Sequence, residues 1–289
     1  MLPNFSPVIA GTMLWGEWGR KLDTYSISDL IHHCLLHGIT TFDHADIYGG
    51  YTTEADFGAA FIQSGIKRAD IQLITKCGIK LITPNRDNRV AHYDYTKDHI
   101  IKSCERSLAN LKTEYLDLFL LHRPSPLMDA AEIVEAITLL KDQGKILSFG
   151  LSNFTPSQSD LIRQHTPVSY NQIEFSLTHH MPMTDGSLDY MKLHGIRPMA
   201  WAPLGVVFKE STPQTGRIKK VLQSFNKKYG SDDDTLLLNW IMRHPSKIIP
   251  VAGTADKNRI SRLKLADTFV MDQEDWFELW EASMGQKVP

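Results

Sequence analysis

The sequence predicts a single (β/α)8 barrel of parallel strands, and three observations carry that prediction. Helical patterns repeatedly end in glycine and run straight into an apolar or β-branched stretch. Gly38 precedes Ile39–Ala45, Gly144 precedes Ile146–Leu151, Gly195 precedes Ile196–Ala202, and Gly65 lies shortly before Ile71–Lys76. Glycine accepts the left-handed conformation that closes a helix, so each junction reads as a helix C-cap followed by a strand. The strands are almost continuously apolar, as in Leu116–Leu121, which suits a parallel sheet buried on both faces. The unit recurs eight times within 289 residues, and barrels of this kind routinely occupy about 250 residues as one domain.

Pro7–Ala10 is the expected first strand. Ile39–Ala45, Ile71–Lys76, Leu116–His122, Ile146–Leu151, Val168–Glu174, Ile196–Ala202 and Lys247–Ala252 supply the second to the eighth. Helical patterns follow them at Ser28–His37, Glu54–Gln63, Lys97–Asn110, Ala130–Gln143, Pro156–Gln164, Ser187–His194, Gly216–Tyr229 and Lys257–Leu265. Asp233–Arg243, before the last strand, and Asp272–Ser283, after the last helix, exceed the count and are expected to be appended helices. Asp232-Asp233-Asp234 could be a metal-ligand cluster, but three consecutive carboxylates opening a helix are better explained by capping and by the helix dipole. The Pro84–Arg89 region reads as a long loop, and no linker or internal repeat divides the chain, so residues 1–289 are expected to form one domain.

Composition excludes several classes of function. With 42% hydrophobic and 22% charged residues the chain is of ordinary globular type, and no apolar run approaches the roughly 20 residues that cross a bilayer. Net charge is −2, and the basic cluster Arg217, Lys219, Lys220, Lys227 and Lys228 falls on one helical segment, where it reads as a solvated face. Neither nucleic acid nor membrane is an expected partner. Met1–Thr12 has no secretory pattern, so cytoplasmic residence is expected. Cys34, Cys77 and Cys104 are odd in number and widely spaced, which points to reduced thiols.

In such barrels chemistry gathers where strands end and loops begin, at the C-terminal face. The second strand runs out in Asp43-His44-Ala45-Asp46-Ile47-Tyr48 and the third ends in Lys76. The fourth ends in His122-Arg123, the fifth in Ser152-Asn153 and the sixth in Gln172-Ile173-Glu174. Any one of these would pass as an ordinary polar strand end; together they converge on one site. His44 and Asp46 could instead begin a metal site for hydrolysis, but His179-His180, the other local histidine pair, lacks a carboxylate at ligand spacing. No metal is therefore expected.

Phe42-Asp43-His44-Ala45-Asp46-Ile47-Tyr48-Gly49 resembles the Asp-x-Ala-x-x-Tyr-Gly signature of aldo-keto reductases, and the resemblance spans the chain. Ile74-Thr75-Lys76 is similar to that family's lysine strand, Asp117–His122 to its histidine strand, and Gly150-Leu151-Ser152-Asn153-Phe154 to its carboxamide-binding turn. Asn171-Gln172-Ile173-Glu174, Ala200–Gly205 and Ile249–Thr254 follow in the same order. The resemblance implies reduction of small carbonyl compounds with a nicotinamide cofactor. Tyr48 would be the acid, Lys76 its tuner, Asp43 the partner of Lys76, and His122 the group that orients the carbonyl. A free phenol, with a pKa of about 10, is a reluctant acid, and an adjacent ammonium favours the tyrosinate and so draws that value down.

The same resemblance implies a cofactor site built from Thr12, Met13, Asp43, Ser152, Asn153, Gln172, Trp201, Leu204, Gly205, Gly253, Thr254 and Arg259. Trp201, where the family usually has tyrosine, would stack on the nicotinamide. The Gly-x-Gly-x-x-Gly fingerprint is absent, so the cofactor would be bound in the barrel's own manner. Arg259 with the Thr254 hydroxyl suits a 2′-phosphate, which predicts NADPH over NADH, and Lys257 or Arg262 could add positive charge. Met13 stands where many members carry tryptophan, and Trp15 and Trp18 could compensate. Trp15, Tyr51 and Arg123 are the expected substrate residues, with Pro124 and Phe208 nearby at the opening. A non-enzymatic alternative is a cofactor-binding redox sensor, of the kind that serves as a regulatory subunit of ion channels.

Overall fold

The computed structural model describes residues 4–84 and 86–288; Met1–Pro3, Asn85 and Pro289 lie outside the described residues. In chain order its strands are β1 (Ile9–Gly11), β2 (Thr41–Asp43), β3 (Gln72–Cys77), β4 (Ile79–Lys80), β5 (His92–Tyr93), β6 (Leu118–Leu121), β7 (Phe149–Ser152), β8 (Tyr170–Glu174), β9 (Arg197–Trp201) and β10 (Ile249–Ala252). Eight of them close into a parallel barrel in the order β1-β2-β3-β6-β7-β8-β9-β10, and β10 pairs back onto β1 with Ile9 opposite Val251. The helices are α1 (Thr24–Leu36), α2 (Tyr48–Tyr51), α3 (Thr53–Ser64), α4 (Lys97–Leu111), α5 (Ala130–Asp142), α6 (Pro156–Arg163), α7 (Ser187–Leu193), α8 (Pro213–Tyr229), α9 (Asp233–Met242), α10 (Lys257–Leu263) and α11 (Gln273–Met284). Among the described residues no helix is long and apolar enough to cross a membrane.

Two apolar layers hold the architecture. Inside the barrel, Ile9, Ile74, Leu118, Leu120, Tyr170, Met199, Ile249 and Val251 form a plug, closed at the N-terminal end by Phe5, whose ring lies 5.0 Å from that of Tyr170. Outside it, the alternate strand residues, among them Phe42, Leu73, Phe119, Leu121, Phe149 and Leu151, meet the apolar faces of the helices. Successive side chains of a strand point to opposite faces, so near-continuous apolar strands are what two covered faces require. Gly150 is dictated by the inner layer. A methyl group there would come within 2.6 Å of the Tyr170 carbonyl oxygen and 2.7 Å of Leu120 Cδ2.

The expected elements form, with instructive differences. The helix expected at Gly216 begins at Pro213, because Thr212 and Thr215 make a reciprocal capping box and proline suits the first helical position. The chain on either side of the segment read as a long loop, Pro84–Arg89, in which Asn85 lies outside the described residues, pairs as an antiparallel hairpin, β4 against β5, with Ile79 opposite Tyr93 and Lys80 opposite His92. Its arms are two residues long, too short for any periodicity to mark. The carboxylates of Asp232–Asp234 were expected to cap α9, but Asp232 makes no side-chain cap bond. Asp232 and Asp234 pair instead with Arg262, at 3.0 and 3.1 Å, and Asp233 accepts a hydrogen bond from Asn226 at 2.9 Å. The appended α11 lies against α8, where Lys228 meets Asp272 and Asp275 at 2.8 and 2.7 Å.

The crowding at Gly150 predicts that Gly150→Ala destabilises the protein by about 1–3 kcal/mol, the cost of overpacking a filled interior. A urea-denaturation midpoint equal to wild type would contradict that account of the inner layer.

Candidate active site

Period two places the polar groups. On each of five strands a site residue lies two positions beyond an interior residue: Lys76 beyond Ile74, His122 beyond Leu120, Ser152 beyond Gly150, Gln172 beyond Tyr170, and Trp201 beyond Met199. The strand faces that build the apolar plug therefore raise a polar ring one pleat higher, at the C-terminal mouth. Asp43 joins it from the end of β2, and Tyr48 reaches it from the α2 turn, where Gly49 and Gly50 take φ values of 63° and 68°.

Lys76 organises the centre. It is wholly buried, and its Nζ donates to both carboxylate oxygens of Asp43 at 2.8 and 2.7 Å, to the His44 carbonyl at 2.8 Å and to Tyr48 Oη at 3.2 Å. Gln172 Nε2 adds a third hydrogen bond to the Asp43 carboxylate, at 3.0 Å. Burial, the largest single influence, pulls the Lys76 pKa down, but the charges and hydrogen bonds of Asp43 and Tyr48 together outweigh it and the net shift is upward, so the ammonium stays charged. For Tyr48 burial is the largest influence and raises the pKa, while Lys76 draws it back. The expectation that Lys76 brings the phenol below its ordinary value is thus corrected: its pull is present, but desolvation exceeds it and Tyr48 keeps its proton. His122 faces Tyr48 nearly edge to face, with ring centroids 6.2 Å apart. Burial, then Lys76 and Arg123, push its pKa well below 6.5, and its Nδ1 is buried without a partner, so the imidazole is neutral.

The expected cofactor residues divide into two groups. Ser152, Asn153 and Gln172 form a connected amide and hydroxyl cluster. Asn153 Nδ2 donates to Ser152 Oγ at 2.9 Å and to the His122 carbonyl at 3.3 Å, and Ser152 Oγ donates to the Gln172 carbonyl at 3.0 Å. Trp201 Nε1 donates to Asn153 Oδ1 at 2.8 Å, and the Arg123 guanidinium lies 5.6 Å from the Trp201 ring centroid. Asn153 and Ala202 hold φ values of 61° and 49°, strained for residues other than glycine and concentrated at the mouth. Leu204 and Gly205 follow, with Gly205 pressed so close to Thr178 that a Cβ would lie 2.0 Å from its hydroxyl oxygen. Beyond β10, Gly253 is exposed, with open space where a Cβ would be, and Arg259 is exposed as well.

Other expectations shift. Thr12 is fully buried, and its hydroxyl is taken up by the Asp43 carbonyl at 3.0 Å and His44 Nδ1 at 2.9 Å, so it stands behind the site. Met13 is 40% exposed at the rim. Trp15, expected at the substrate, is a core residue only 1% exposed, packed on Phe42 and Phe57, with its indole N–H on the Thr254 carbonyl at 2.9 Å. The aromatic beside Tyr48 is Trp18, with ring centroids 6.3 Å apart. Tyr51, also expected at the substrate, turns its hydroxyl to the β4–β5 hairpin. Arg262 is held by Asp232 and Asp234, which removes it from a phosphate site. His44, the residue on which the discarded metal-site alternative rested, is fully buried against Phe57.

Two supporting residues escaped sequence reasoning. Tyr95 Oη accepts from the Arg123 N–H at 3.1 Å and donates to its carbonyl, which fixes the loop after His122. Glu54, buried at the start of α3, accepts from Thr75 Oγ1 at 2.6 Å, next to Lys76 in the chain. A carboxylate at an otherwise buried helix position was the one available signal.

A histidine with a pKa well below 6.5 does not charge near neutrality. The His122 ring-proton resonance is therefore expected to hold constant from about pH 5 to pH 8, the interval in which a free imidazole titrates. A titrating shift with a midpoint near 6.5 would show that the site is wetter than this geometry.

Comparison with known proteins agrees with the arrangement. Residues 7–283 match the model of the Aldo/keto reductase family. An uncharacterized oxidoreductase of Bacillus subtilis, YcsN, is 42% identical over 99% of this chain and 97% of its own length. A 6-dehydroglucose reductase of Agrobacterium fabrum is 39% identical over 96% of this chain and 95% of its own length. Among solved structures, the glycerol dehydrogenase AKR11B4 of Gluconobacter oxydans superposes with a TM-score of 0.86, covering 100% of this chain and 95% of that one at 22% identity. With a catalytic-type tyrosine, lysine, aspartate and histidine meeting at the mouth of a parallel barrel, and the family pattern running through nearly all of it, this chain belongs to the aldo/keto reductase family of oxidoreductases.

Proposed function

We propose that the protein reduces small aldehydes or ketones with NADPH, Tyr48 delivering the proton. The observation that carries the reading is the contact of the Tyr48 phenol with the buried Lys76 ammonium at 3.2 Å, with Asp43 closing the pair from the other side. Carbonyl reduction needs a hydride at carbon and a proton at oxygen. Bound NADPH supplies the hydride, and the protein must supply the rest.

Tyr48 holds its proton at rest because burial disfavours the tyrosinate. As negative charge builds on the carbonyl oxygen, the O–H proton passes to it, and the Lys76 ammonium stabilises the phenolate left behind. Asp43 keeps Lys76 charged and fixed. Neutral His122 orients the substrate oxygen beside Tyr48. Ser152, Asn153 and Gln172 supply donors and acceptors matched to a nicotinamide carboxamide, Trp201 offers an aromatic face, and the open Gly253 with the exposed Arg259 suits the 2′-phosphate of NADP(H). The likeness to a 6-dehydroglucose reductase of Agrobacterium fabrum makes an oxidised sugar with a free aldehyde the first substrate to assay.

Loss of reduced-nicotinamide absorbance against a panel of sugar aldehydes, simple aldehydes and ketones tests the reading, with repeated turnover expected. Tyr48→Phe is expected to lower kcat by about 10²–10⁴-fold, the usual worth of a positioned general acid, while NADPH binding stays near wild type. Turnover retained in that variant would refute the assignment. Arg259→Ala should weaken NADPH much more than NADH in kcat/KM; equal losses for the two cofactors would remove Arg259 from the phosphate site.

A further inference from the structure

Lys76 and Tyr48 come from different chain segments, and each segment continues into one half of a second junction beyond the site. Two residues after Lys76 the chain turns at Gly78, with φ 109° and no room for a Cβ against the Tyr95 ring, and enters the β4–β5 hairpin. Three residues after Tyr48 comes Tyr51, with φ 76°, following Gly49 and Gly50 at 63° and 68°. The left-handed conformation is free for the two glycines. For tyrosine it is strained, and a strained residue persists only where its surroundings hold it.

What holds Tyr51 is the hairpin. Its Oη accepts the Leu81 N–H at 3.0 Å and donates to the Ile79 carbonyl at 3.3 Å, and the Arg86 guanidinium lies 4.4 Å from its ring centroid. Beneath these contacts the hairpin and the active-site loop are separated by a cavity of about 230 Å³, lined by Asp46, Tyr51, Lys80, Arg86 and His99 among others. Tyr51 spans this gap between the hairpin and the active-site loop.

We propose that Tyr51 is a positioning residue for the proton donor: by clipping the hairpin that follows Lys76 to the turn that carries Tyr48, it fixes the Tyr48–Lys76 contact from outside the pocket. This rests on Tyr48 being the acid. Tyr51 touches neither the Lys76 ammonium nor the Tyr48 hydroxyl and acts through the chain that bears them. Small displacements of a proton donor have large kinetic effects, because proton transfer depends steeply on hydrogen-bond geometry.

The experiment compares Tyr51→Phe, which keeps the ring and the backbone strain but removes the hydroxyl, with Tyr51→Gly, which removes the clip and relieves the strain. In both, kcat for reduction should fall roughly tenfold while the NADPH dissociation constant stays within about twofold of wild type. The alkaline limb of the kcat profile should move to higher pH, because a phenol farther from the Lys76 ammonium loses its proton less readily. The Leu81 amide should exchange hydrogen faster. An unchanged kcat, or a lower kcat with the alkaline limb unmoved, overturns the positioning role. If Tyr51→Phe is too unstable to assay, Tyr51→Gly carries the same expectations. Tyr48→Phe, measured in parallel, separates the two readings: if it retains turnover, the general-acid assignment itself has failed, whatever Tyr51 does.

Discussion

A fully buried lysine is the constraint around which the rest of this structure is arranged. An ammonium taken out of water without compensation would shed its proton, and a lone buried carboxylate would take one up. Lys76 and Asp43 avoid both outcomes by facing each other at 2.7–2.8 Å, with the His44 carbonyl and Gln172 Nε2 satisfying what remains. The fixed charge pair sets the states of its neighbours. Its cation adds to the burial that keeps His122 neutral, and it lies against the Tyr48 phenol, drawing that pKa back toward its ordinary value. Removing either partner would leave an uncompensated charge in the barrel mouth, typically worth about 3–5 kcal/mol of stability.

Such a pair needs a rigid frame, and the barrel provides one by simple alternation. The interior plug of Ile74, Leu120, Tyr170 and Met199 anchors each strand immediately below a polar residue, so the positions of Lys76, His122, Gln172 and Trp201 are fixed by packing beneath them. Above the plug, regular pairing gives way to conformations that sheets do not use. Asn153 and Ala202, each one residue past a strand end, and Tyr51, at the end of α2, are all left-handed. Strain collected at that end is tolerable because the closed sheet below over-determines the backbone. It aims the side chains of these loops across the mouth.

Supporting contacts reach the site from well outside it. Trp15 ties the loop after β1 to Thr254, and Tyr95 ties the loop after β6 to the base of the hairpin at Gly78. Glu54 braces the strand that carries Lys76 from the helix side. The pattern is of loops joined in pairs around the rim, each holding a segment that also bears a chemical group.

The amino-acid sequence by itself determined the barrel, the order of its elements and the polar strand ends, because these follow from local rules. Glycine closes a helix, apolar runs demand two covered faces, and residues two apart share a side. Asp43, Tyr48, Lys76 and His122 were legible because strand-end placement and the signature around Tyr48 are both local. Only the tertiary structure decided which partners those groups take. Gln172 lies 129 residues from Asp43, and Trp15 lies 239 residues from Thr254, so neither bond leaves a mark in the neighbouring sequence. The same holds for the proton on Tyr48. An adjacent cation suggests a lowered pKa, but the desolvation that reverses the net shift comes from atoms contributed by several strands and loops at once. Burial is a property of the closed fold, and it settles the protonation of Tyr48 and His122, while the partners that the fold brings to Lys76 keep that ammonium charged, where residue type and spacing are silent.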